Sequence, residues 1–204
     1  MLKASRWTLV TGPADEPVDL DTAKSHLRVD LDDDDALITS LIARARRRVE
    51  AETGRALLTQ TWEAHFGGFP ADDVLELPMA PVQAVTQVEY VDTSSQLQTL
   101  AASAYEVDAP AGPQAMPGRL IRAVDAVWPA TRVVPNAVRV RFTAGYGDLA
   151  EDVPEDLVEL MLLFVGHWYE NREAVTEQAA SARLEALPLG AGELLDLYRL
   201  LEVA

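Results

Sequence analysis

Apolar residues run almost all the way round one stretch of this chain. From Leu157 to Tyr169 they fall at Leu157, Val158, Leu160 to Val165, Trp168 and Tyr169. That pattern predicts a helix needing cover on several sides, not a one-sided surface helix. Pro154 suits the first helical position because its missing N–H would be unpaired there, and Glu155, Asp156 and Glu159 bring negative charge to the helix N-terminus. Just before it, Val138, Val140 and Phe142 alternate with Arg139 and Arg141, the period of a half-buried strand. Gly145 and Gly147 then allow a turn. Residues 140–173 thus read as strand, glycine turn and buried helix.

Upstream, residues 1–17 look extended, with breaks at Gly12, Pro13 and Pro17. A short helix follows, started by Asp19 or Asp21, with Leu20, Ala23 and Leu27 at helical spacing. The acidic run Asp30 to Asp35 separates it from a second helix, striped by Leu37, Ile38, Leu41, Ile42, Ala45 and Val49 and ended by Gly54. The two form a helical hairpin. The period then changes to alternation, with strands predicted at Trp62–Phe66, Val74–Leu77, Val82–Val91, Leu97–Leu100, Tyr105–Val107, Leu120–Ile121 and Ala137–Phe142, making an antiparallel β module. Ala109 to Gly118 is too rich in proline and glycine to be an element. At the far end, GELLDLYRLLEVA predicts a short helix with Leu194, Leu197, Tyr198 and Leu201 on one face.

The expected fold is therefore α+β. It comprises an N-terminal segment and helical hairpin (1–58), an inserted antiparallel β module (59–147), and a buried helix plus C-terminal helix (148–204) completing a helical bundle.

Composition narrows the chemistry. The 204 residues are 49% hydrophobic, enough for a real core, and contain no cysteine, which removes disulfides, thiolate metal sites and cysteine nucleophiles. No signal peptide or membrane-length apolar run is present, so the expectation is a soluble protein made in the cytoplasm. The net charge of -16 is concentrated late: residues 148–204 hold 13 acids against 3 bases. Such a surface repels phosphate and disfavours duplex recognition, while remaining suited to a basic partner or to lining a DNA passage without gripping it.

The candidate sites are weak as chemistry. Asp30, Asp32 and Asp34 have calcium-loop spacing, but Asp35 and Leu41 stand where glycine and glutamate are required. His26, His65 and His167 share no metal-binding spacing. His167 with Glu170, one turn apart, can be read as the acid and base of a small hydrolase-like enzyme, the alternative function. Arg44, Arg46, Arg47 and Arg48 form the one basic cluster, with Glu50 and Glu52 placed to pair with it.

The ordered series PVDLDTAKSHLRVD, DDDALITSLIARARRRVEAETGRALLTQTW, LPMAPV, VRFTAGYG, VP and HWYENRE, from Pro17 to Glu173, resembles the head-to-tail connector (adaptor) proteins of long-tailed bacteriophages and gene transfer agents. The resemblance implies a non-enzymatic virion protein without cofactor or metal. Its subunits would form a ring, twelve-fold in the particle, between the portal and a downstream neck or stopper protein, with DNA as passing cargo. On that reading Leu194, Leu197, Tyr198 and Leu201 face the portal or an adjacent subunit, and Glu177, Glu185 and Glu193 face the channel.

Overall fold

The computed structural model describes residues 1–171 and 190–200. It divides into two compact units, one built from residues 1–13 and 54–146 and the other from 14–53 and 147–204.

The first unit is all β apart from one 3-10 turn. Its strands are β1 (Leu2–Lys3), β2 (Arg6–Thr11), β3 (Gln60–Phe66), β4 (Val74–Glu76), β5 (Val82–Val91), β6 (Leu97–Thr99), β7 (Tyr105–Asp108), β8 (Arg119–Arg122) and β9 (Val138–Ala144). They form a four-stranded sheet, β1-β4-β8-β7, and a five-stranded sheet, β2-β3-β9-β5-β6. The alternation along β9 sets the register. Val138, Val140, Phe142 and Ala144 are buried, while Arg139 and Arg141 stand on the other face, opposite His65 and Glu63 of β3. Leu75 and Leu120 from the smaller sheet join Val88, Val140 and Phe142 from the larger one in a single core. Phe69 stacks on Trp128 at 4.6 Å and meets Tyr90 edge-on.

Two features differ from the sequence expectation. The N-terminal segment, grouped above with the helical hairpin, hydrogen-bonds into the sheets, β1 onto β4 and β2 onto β3. And the β module is not wholly antiparallel, because the β1–β4 pair is parallel. The proline-rich stretch Ala109 to Gly118 is pinned to its own unit: Arg55 donates to the Ala115 carbonyl at 2.9 Å and Tyr146 to that of Pro113 at 2.6 Å.

The glycine turn divides its work. Gly145 has φ 144°, and a Cβ there would lie 2.4 Å from the Leu58 backbone. Gly147 needs no special angle. It leaves room for the Asp152 carboxylate, which a Cβ would strike at 2.1 Å.

In the second unit the described helices are α1 (Leu20–Leu27), α2 (Asp35–Thr53), α3 (Glu155–Glu170) and α4 (Ala191–Tyr198). Asp19 caps α1, accepting from the Thr22 N–H at 2.7 Å, and α3 begins one residue after Pro154. Helix α3 touches α1, α2 and α4, which explains its broad apolar surface: Leu157, Leu160, Met161, Phe164, Val165 and Trp168 are buried. The predicted stripe of α2 is buried at Ile38, Leu41, Ile42, Ala45 and Val49.

Candidate assembly surfaces

Helix α4 is docked within its own unit. Ala191, Leu195 and Tyr198, at i, i+4 and i+7, are buried. The Tyr198 hydroxyl donates to Asp156 at 2.9 Å. Beyond the helix, Arg199 reaches the Glu52 carboxylate at 3.2 Å and the Leu200 N–H donates to the Thr53 carbonyl at 3.0 Å. Of the four residues expected to face a partner, Tyr198 therefore points into the unit and Leu194 is half-buried, while Leu197 is 51% exposed. Leu201 lies outside the described residues, as do Glu177 and Glu185; Glu193 is exposed in the first turn of α4.

The charged clusters are largely engaged within the chain. Arg46 donates to Glu16 at 2.7 Å and to Glu50 at 2.9 Å. Burial pulls its pKa down, but the two carboxylates outweigh that and the net shift is upward. Arg44 lies 4.0 Å over the Trp168 ring and Arg48 pairs with Glu52 at 2.7 Å. The cluster is thus spread over different neighbours and does not form one basic face. In the acidic run, Lys24 donates to Asp32 and Asp35, each at 2.7 Å, and Asp34 accepts from the Tyr169 hydroxyl at 2.6 Å. Among the described residues no group of three or more His, Asp or Glu side chains can hold a metal ion.

His167 is half-buried on α3 and Glu170 is exposed. Two open depressions among the described residues of this unit lie away from that pair. One, of about 380 Å³, is an open depression bordered by Glu16, Val18, Asp19, Glu151, Val153 and Val158. Glu16, Val18 and Asp19 also border an open neighbour of about 370 Å³. No helix among the described residues is long and apolar enough to cross a membrane.

A further surface escaped the sequence reading. All six residues of β2 are exposed, including Trp7, Leu9 and Val10. The alternation of Trp7 and Leu9 with Arg6 and Thr8 is the signal that identifies the strand. What it cannot reveal is that the strand ends up at a sheet edge.

A family model described as phage gp6-like head-tail connector protein matches residues 17–199. No curated protein matches the chain. Among solved structures, the chain is similar to one in the neck of an empty gene transfer agent (GTA) particle computed with C6 symmetry. That likeness has a TM-score of 0.78 at 23% identity, over 98% of this chain and 97% of that one. It is also similar to a chain in the virion of a native GTA particle, at TM-score 0.76 and 25% identity over 97% of each. A third similar chain is in the neck of a native GTA particle computed with C12 symmetry, at TM-score 0.71 and 22% identity over 98% of this chain and 97% of that one.

Proposed function

Since the chain belongs to the phage gp6-like head-tail connector family, we propose that it is a ring-forming structural adaptor in the neck of a phage or GTA particle. It joins the portal to the downstream neck or stopper protein and surrounds the passing DNA. The observation that carries this reading is the family match over 17–199, with likenesses to GTA neck and virion chains spanning nearly the whole of both partners. Necks computed with C6 and C12 symmetry favour a ring, and twelve copies fit both. Helices α1 to α4 act as a helical bundle, with residues 54–146 of the β unit inserted between α2 and α3.

The portal contact is assigned to the exposed side of α4, centred on Leu197, with Leu194 beside it. Tyr198 supports that helix from behind. Glu193, with Glu177 and Glu185, faces the channel, where carboxylates repel the phosphate backbone and let DNA slide.

Electron microscopy of the purified chain, with and without the portal of its own particle, tests the proposal. Rings, or added density capping the portal, are expected; a chain that forms neither and is absent from purified particles would overturn it. The channel assignment has its own test. Neutralising Glu177, Glu185 and Glu193 to glutamine is expected to slow DNA exit, and normal release with normal infectivity would sink it.

A further inference from the structure

Strand β2 is hydrogen-bonded to β3 and has no second neighbour among the described residues, so half of its backbone donors and acceptors point away from the sheet. Trp7, Leu9 and Val10 are 48%, 47% and 48% exposed. Isolated exposed apolar residues are ordinary, but three on one six-residue edge are not. Trp7 stands opposite Ala64 and Leu9 opposite Trp62, so both continue the core-side face past the last strand. The strand carries no lysine or proline to blunt its edge. Its register shift at Leu9/Thr11, followed by Gly12 and Pro13, leaves Arg6 to Leu9 as the regular stretch.

The opposite edge of the same sheet is β6, three exposed residues with Leu97 at 53%. Every neighbouring pair from β2 through β3, β9 and β5 to β6 is antiparallel, so the two outer strands run in the same direction. A cyclic ring needs two different, mutually complementary surfaces on each subunit, whereas a self-complementary surface produces a closed dimer. Resting on the ring reading above, we infer that the β2 edge of one copy pairs in parallel with the β6 edge of the next, so that the larger sheets run on from subunit to subunit. Backbone hydrogen bonds supply the pairing, and Trp7 and Leu9 pack against the neighbour's core-side face.

The absence of cysteine makes this directly testable. Thr8 and Thr99 lie on the same, polar face of the sheet, linked across it by Glu63, Arg141, Gln87 and Glu89. Particles assembled with the T8C/T99C chain are treated with a short homobifunctional thiol cross-linker and run on a denaturing gel. A ladder of dimers, trimers and higher species is expected, lost when either cysteine is present alone and lost when Leu9→Lys is added. A normal amount of the chain in particles without a ladder would overturn the inference while leaving the adaptor function standing. So would a dimer formed by T8C alone, which means β2 pairs with β2, or a link closed within one chain. Absence of the wild-type chain from particles would overturn both readings.

Discussion

Tyr198 Oη donates a 2.9 Å hydrogen bond to Asp156 Oδ2, tying the last described helix to the first turn of α3. Removing the hydroxyl in Tyr198→Phe leaves the Asp156 carboxylate one donor short. It is expected to cost about 1–2 kcal/mol in chemical denaturation. Leu197→Gln, on the exposed side of the same helix, is expected to stay within about 0.5 kcal/mol of wild type while losing attachment to the portal in a pull-down. Retained attachment would place the contact elsewhere. Truncation after Pro188 is a poorer test, since it strips the fully buried Leu195 from the unit and confounds binding with folding.

Arg46 is held between Glu16 and Glu50, and the Glu50 side chain is only 8% exposed. In Arg46→Met the buried carboxylate loses the Arg46 charge, for an expected loss of about 3 kcal/mol. Pairing it with Glu50→Gln should restore part of that loss. A double-mutant cycle by urea denaturation measures the coupling, and strict additivity would show that the pair is not coupled.

Gly145 combines φ 144° with a close approach to the Leu58 backbone. Gly145→Ala is expected to lower stability by at least about 1–3 kcal/mol from backbone conformation alone, before the clash is counted. Gly67→Ala is the control, having nothing within 4 Å of the added carbon. Thermal melts of the two variants should differ clearly.

His65 is buried, which lowers its pKa from the ordinary value; Arg6 and Arg139 push the same way and Glu63 opposes them. The unfolded chain, with a histidine pKa of about 6.5, then binds protons that the folded chain refuses. This contribution to stability is intact above that pH and is lost as the pH falls from there through the folded value. His65→Gln should therefore lose less melting temperature than wild type between pH 7.5 and pH 5. An equal loss in both proteins would show that His65 is not the group responsible.

Much of this architecture is written locally. The apolar run from Leu157 to Trp168 predicted a helix covered on several sides, and α1, α2 and α4 do cover it. Val82–Val91 was legible to the residue, because period-two alternation, the Pro78 and Pro81 break before it and the polar turn after it are local signals. The placement of β1 and β2 was not, since their partners β4 and β3 lie fifty residues or more ahead and pairing is a non-local choice. The face of α4 also escaped a helical wheel. With leucines on most sides of the helix, the Tyr198–Asp156 hydrogen bond and the contacts of Arg199 and Leu200 with the end of α2 accompany a rotation that buries Leu195 and turns Leu197 outward. The family resemblance, by contrast, could be seen from short motifs in order, because it depends on sequence identity and not on which surfaces are finally exposed.

The chain crosses between its two units three times, near residues 13, 53 and 146. For a nascent chain this has a consequence in time. The hairpin of α1 and α2 leaves the ribosome before α3, which packs on both helices and is translated roughly 100 residues later. At ~5–20 residues per second that interval is about 5–20 s, long compared with the microseconds in which helices form. Over that interval the acidic run Asp30 to Asp35 leaves the start of α2 strongly negative, and like charge opposes the close approach of identical copies.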